Sequence, residues 1–132
     1  MTHDYLTVSE VLAMHADQIA RYGGAVGVRD PGRLEAAVLR PQSGYYPDLI
    51  AEAAALWESL SQNHPFIDGN KRTAFAAVYT FLAINGVAIT ADAEATWHFL
   101  QDHYERGDVR MDVLEHWLRL NTADRTSSRH GP

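Results

Sequence analysis

The sequence predicts an all-α protein, a compact bundle of about six helices around one buried central helix. Three observations carry this. Apolar residues recur at spacings of three and four through most of the chain, with Gly, Pro, Asn and Asp gathered in the short gaps between. One run, residues 73–84, is apolar on every side, as a helix surrounded by others must be. Only residues 86–90 read as strand.

The first helix opens at Thr7. Thr7 and Glu10 have capping-box spacing, and Leu6 and Val11 have that of a hydrophobic staple. Val8, Val11, Leu12, Ile19 and Tyr22 mark its inner face, and Gly23-Gly24 ends it. Asp30-Pro31, an N-cap followed by proline at the first helical position, starts a second helix reaching about Leu39. Turn residues make 40–47 a loop. A third helix carries Leu49, Ala53, Leu56, Trp57 and Leu60. The fourth is the apolar run, closed by Asn85-Gly86. Asp92 opens a fifth with Trp97, Leu100 and Tyr104 on one face, and Asp108 a sixth with Met111, Leu114, Trp117 and Leu118. Trp57, Trp97 and Trp117 are expected in the core. Residues 122–132 have almost nothing to bury and are expected to form a disordered tail, leaving 1–121 as the folded domain.

Composition narrows the function. A chain of 132 residues suits one domain with one core. A net charge of −6 argues against nucleic-acid binding driven by counterion release, and no direct nucleic-acid contact is expected. The absence of cysteine excludes disulfides, thiolate catalysis and Cys-based zinc sites. No basic segment leads into an apolar run at the N-terminus, and residues 73–84 are too few to span a bilayer. The expectation is a soluble cytoplasmic protein with no membrane partner.

The chemistry concentrates in His64-Pro65-Phe66-Ile67-Asp68-Gly69-Asn70-Lys71-Arg72, where a loop feeds the N-terminus of the buried helix. That end presents unpaired backbone N–H groups and the positive end of the helix dipole. Gly69 permits a tight turn and close approach of a ligand. Asn70, Lys71 and Arg72 add donors and positive charge in the first turn, which costs stability unless an anion joins them. The pattern describes a phosphate site. Asp68 beside it suits a Mg²⁺ ligand and stands where it can also cap the helix. His64 can accept a proton near neutral pH. Together they suggest a hydroxyl activated by His64 and a phosphate electrophile.

His64, Phe66, Asp68, Gly69, Asn70 and Arg72 occupy the six specified positions of a nine-residue signature, and by them the chain resembles the Fic/Doc family. Residues 27–37 and Arg40-Pro41 also look like the upstream region of its Doc-type (death-on-curing) toxins, extending the resemblance over about residues 5–121. The resemblance implies a Fic/Doc-type bundle with a flap loop, here residues 40–48, that docks the target protein. It implies that His64 is the catalytic base and that Asp68 carries Mg²⁺. Gly69, Asn70, Lys71 and Arg72 then hold nucleotide phosphates, and Phe66 anchors the motif in the core.

Fic enzymes that transfer AMP usually have glycine at the position of Lys71 and a second arginine at that of Phe75. Doc-type toxins share the lysine, lack the second arginine and transfer the γ-phosphate of ATP. Lys71 and Phe75 therefore favour a protein Ser/Thr kinase over an AMP transferase. The resemblance further implies translation elongation factor Tu as target, with translation inhibited, and a cognate antitoxin whose terminal segment folds into a groove on the toxin. The alternatives are a nucleotidyl transferase acting on a protein and a catalytically silent antitoxin-binding module.

Other polar residues read more plainly. His98 and His103 are five apart, not a same-face pair, and suggest no metal site. His3, His15, His116 and His130 have no visible partner and read as surface or structural. Arg33 and Arg40 read as solvated rather than as nucleotide or target contacts. Tyr45 and Tyr46 either dock a partner or fold back on the core.

Overall fold

The computed structural model describes residues 3–125. Six helices follow in order: α1 (Val8–Tyr22), α2 (Pro31–Leu39), α3 (Leu49–Gln62), α4 (Asn70–Ile84), α5 (Ala93–Arg106) and α6 (Met111–Leu120), with a short 3₁₀ turn at Arg40–Ser43. Strands β1 (Val87–Ile89) and β2 (Thr122–Asp124) pair antiparallel, with Ala88 opposite Ala123. The protein is thus a helical bundle with one two-stranded ribbon.

Helix starts are set by local chemistry. Thr7 Oγ1 accepts the Glu10 N–H at 3.1 Å while Glu10 accepts that of Thr7 at 2.8 Å, which is the expected capping box. Asp30, Asp48 and Asp92 cap α2, α3 and α5 by accepting the N–H three residues on. The sixth helix departs from expectation. Asp108 does not open it; Asp108 bonds His103 at 2.7 Å, and Glu58 of α3 accepts the N–H of Met111 at 2.6 Å.

The centre is shared by α3 and α4. Ala51, Ala53, Ala54 and Ala55 of α3 are all buried, and such small side chains let neighbouring helices pack closely. Trp57, fully buried, meets Phe75, Phe99 and Trp117 edge-on at ring distances of 5.6, 6.1 and 5.8 Å. On α1 the buried line is Val11, His15 and Ile19, spaced four apart, whereas Leu12 and Tyr22 lie on the exposed flank.

The expected tail begins with structure. Thr122–Asp124 forms β2, and Thr90 donates to the Asn121 carbonyl at 2.7 Å. Strand pairing satisfies backbone groups without apolar side chains, which is why composition alone did not show it. Residues 126–132 lie outside the described residues.

Candidate active site at the start of the fourth helix

The segment leading into α4 is held from three sides. Asn70 clamps it from within: its Nδ2 donates to the Phe66 carbonyl at 3.0 Å and its Oδ1 accepts the Phe66 N–H at 2.9 Å. The loop between α1 and α2 holds it from outside. Arg29 and Asp30 donate their N–H groups to the Pro65 carbonyl, Ile67 donates to Gly27, and Val28 bridges Phe66. Beneath, the Phe66 ring is buried 3.9 Å from that of His15. His15 is also buried and neither ring nitrogen has a hydrogen-bond partner. Burial, then the charge of Arg72, push its pKa down, so it is held neutral.

This bracing presents His64 outward. His64 is exposed, with a φ of 48°, a left-handed conformation that costs about 1–3 kcal/mol for a residue other than glycine. The surrounding bonds, including one from Arg29 to its carbonyl at 3.1 Å, hold it there.

Gly69, φ 73°, stands at the N-cap of α4, and no side chain caps the helix. Asp68 was expected to contribute a cap. Its oxygens instead accept the N–H of Gly69 at 2.9 Å and of Ala25 at 3.3 Å. The first-turn amides of α4 are left without a side-chain partner, as an anion site requires. Gly24 makes the Asp68 placement possible, since a Cβ there would lie 2.6 Å from Asp68 Oδ2.

The two cations behave differently. Arg72 donates to the carbonyls of Gln18 at 3.4 Å and Gly23 at 3.0 Å, at the C-terminal end of α1. A cation is favourable there, so α1 offsets the cost of a positive charge at the start of α4. The Lys71 ammonium lies 4.8 Å over the Tyr104 ring. Both side-chain ends of Asn70 are committed to Phe66, so it offers a ligand its backbone N–H.

His64, Asp68, Gly69, Asn70, Lys71 and Arg72 all line one cavity of about 450 Å³. The motif residues named from sequence therefore converge. The opposite wall is Trp97, Leu100, Gln101 and Tyr104 of α5; of the three expected on one inner face, Leu100 and Tyr104 pack against the core while also lining the cavity, and Trp97 does not. Trp97 is 59% exposed, not core. Nothing in the sequence separates this stripe from the core-facing Phe99, which stacks on Trp117 at 4.8 Å. Phe75 lies outside the cavity and leans on Trp57.

Loop 40–48, expected to serve as the flap, is at the wrong end. Its Asp48 end caps the N-terminus of α3, while His64 follows the C-terminus, about 20 Å along the helix at 1.5 Å per residue, and no residue of 40–48 lines the cavity. Arg40 is not solvated either; it binds Tyr46, the Ala55 carbonyl, Glu58 and Ser59, and so folds Tyr46 back while Tyr45 stays exposed. Arg33 donates to the Asn63 carbonyl at 3.1 Å. The loop that lies on the motif is residues 23–30. His3 pairs with the buried Glu52 at 2.7 Å.

Among the described residues, Asp68 is the one carboxylate lining the cavity. Each oxygen accepts a single N–H and keeps acceptor capacity, which fits a Mg²⁺ held by one carboxylate and phosphate oxygens. No helix among the described residues is long and apolar enough to cross a membrane.

Comparison with known proteins agrees with this geometry. The chain is 52% identical over 94 residues to "Toxin Doc" of Mycolicibacterium smegmatis, covering 67% of this chain and 70% of that protein. It is 37% identical over 89 residues to "Protein kinase doc" of Escherichia phage P1, covering 64% and 71%. The profile of the Fic/DOC family matches residues 5–82, more than half the chain and all of the motif. With five of the six signature residues on one cavity at an uncapped helix start and the sixth, Phe66, buried beneath them, the chain belongs to the Fic/Doc family, in its Doc branch.

Proposed function

We propose that this chain is a Doc-type toxin that transfers the γ-phosphate of Mg-ATP to a hydroxyl side chain of a protein, and so inhibits translation. Elongation factor Tu is the target the family resemblance suggests. The observation that carries the reading is the uncapped start of α4, with His64 and Asp68 on the same 450 Å³ cavity. The names of the relatives, a toxin and a protein kinase, support it.

The first-turn amides of α4 and Lys71 would hold the phosphates, and the apolar face of Trp97 and Leu100 suits the nucleoside. Asp68 would hold Mg²⁺, which would supply charge neutralisation for phosphoryl transfer. His64 takes the proton of the acceptor hydroxyl. That oxygen bonds to the γ-phosphorus while the bond to the bridging oxygen breaks, and ADP leaves. Phe75, apolar and outside the cavity, offers nothing to distal phosphates, which favours phosphoryl over AMP transfer. The face of Tyr22, Phe75 and Tyr79 beside Arg72 would take the segment of a cognate antitoxin. The site of action would be the cytoplasm, where translation factors are found.

The test is intact-mass spectrometry of purified elongation factor Tu after incubation with the protein and Mg-ATP, with His64→Ala as control. A gain of one phosphate that requires His64 is expected. A gain of one AMP would reassign the enzyme as an AMP transferase. No gain on this target, with growth arrest that still requires His64, would move the search to other proteins.

A further inference from the structure

We infer that Tyr104 is a positioning residue for Lys71, keeping the ammonium at the mouth of the phosphate site with its hydrogen-bond donors free. This rests on the nucleotide reading above.

Lys71 is exposed, and a free lysine there would sample many rotamers. The Tyr104 ring lies beneath its ammonium at 4.8 Å. The ring is itself fixed, because the Tyr104 hydroxyl and Ser61 Oγ are hydrogen-bonded at 2.7 Å and Ser61 is buried in the last turn of α3. Lys71, Tyr104 and His64 line both the 450 Å³ cavity and a smaller one of about 160 Å³ on its flank. The pair therefore forms the partition beside the catalytic base.

The choice of partner matters. A carboxylate would orient the lysine equally well, but it would cancel the charge and occupy the N–H groups that an incoming phosphate needs. A ring face attracts the cation through its quadrupole and accepts none of those hydrogen bonds in full. Arg72 also lies over a ring, that of Tyr22 at 5.5 Å, but both its terminal nitrogens donate to carbonyls, those of Gln18 and Gly23. Lys71 is thus the first-turn cation left available to a ligand, and Tyr104 is what orders it.

The experiment is calorimetric titration of Mg-ATP into the wild-type chain and four variants: Tyr104→Leu, Tyr104→Phe, Lys71→Ala and the Lys71→Ala/Tyr104→Leu double. Tyr104→Leu is expected to weaken binding about 5-fold, equivalent to ~1 kcal/mol at 1.4 kcal/mol per decade. Tyr104→Phe, which keeps the ring, should recover most of that loss. In the Lys71→Ala background, Tyr104→Leu should add nothing. Equal losses in both backgrounds would mean that the ring acts on the nucleotide or on the cavity shape, and would overturn the inference. So would wild-type affinity in Tyr104→Leu. A wild-type protein that binds no Mg-ATP would overturn the nucleotide reading together with this inference. Should Tyr104→Leu lose its cooperative melt, NMR of the wild type decides. Upfield ring-current shifts on the Lys71 side-chain methylenes are expected, and their absence would refute the pairing.

Discussion

At the start of α3, Asp48 accepts the N–H of Ala51 at 3.0 Å and is gripped by both terminal nitrogens of Arg119 at 3.1 Å. At the start of α4, Gly69 offers no side chain, and Lys71 and Arg72 follow where an acid would be expected. These neighbouring helices share one core, yet one start is closed within the protein and the other is open. The difference separates stability from function. The closed end satisfies its own amides and charge. The open end leaves amides and one cation for something not in the chain, while Asn70, Arg29 and the buried Phe66 hold its backbone still. An open helix start in a rigid setting is a preorganised anion site.

The sharpest way to break the comparison is to remove chemistry from the open end alone. His64→Ala should lower phosphoryl transfer by about 10²–10⁴-fold, the usual worth of a general base. His64 is exposed, so the melting temperature should barely move. Mass spectrometry of the target together with a thermal melt checks both. A melt that collapses would show that His64 is structural.

The next largest effect should come from Gly24, which lies in the loop that braces the open end. A methyl group there meets Asp68 Oδ2 at 2.6 Å, at a backbone φ of 116° that side chains rarely adopt. Gly24→Ala should destabilise the fold by about 1–3 kcal/mol and displace Asp68, cutting Mg-ATP-dependent transfer more than tenfold. Normal transfer in a folded Gly24→Ala protein would show that the Asp68 position is unimportant. At the closed end, Asp48→Ala removes a cap and should cost about 1–2 kcal/mol in chemical denaturation. Transfer by the folded protein should stay at the wild-type rate, because Asp48 is a helix length away from His64. A fall in rate would mean that the two ends are coupled.

The same contrast explains what could be read in advance. Thr7 with Glu10, and Asp30 and Asp92 with residues three along, interact within one turn, so their helix starts were legible. Six signature residues lie in one stretch of nine, so most of the site was legible too. Distant partnerships were not. The cap of α6 comes from Glu58, 53 positions away, and the carbonyls that hold Arg72 come from α1. Trp97 illustrates the limit well. A stripe of Trp97, Leu100 and Tyr104 has the same period whether it faces a core or a cavity, and only the tertiary arrangement decides. The loop on the motif was misplaced for a similar reason. Loop 40–48 is nearer in sequence than residues 23–30, but α3 carries it to the far end.

The smallest expected effect tests the closed end by charge. Asp48→Asn keeps an oxygen that can cap α3 and removes the negative charge facing Arg119. The hydrogen bonds from Arg119 hold the Asp48 carboxyl below its ordinary value of 3.8, against the opposing pull of partial burial. A folded pKa below the unfolded one means that the ionised form stabilises the fold. That contribution is fully present above 3.8 and is lost as pH falls through the lower folded value. The pair is half exposed, so solvent screening keeps it to about 0.5 kcal/mol. The melting temperatures of wild type and Asp48→Asn should therefore differ by a small constant amount from neutral pH down to about pH 5, then converge as the wild-type carboxylate is protonated. A gap that persists below pH 2 would place the stabilisation in the cap geometry and not in the charge. A gap that closes, beside a start of α4 whose Mg-ATP affinity does not track it, would show the two helix ends working on independent groups.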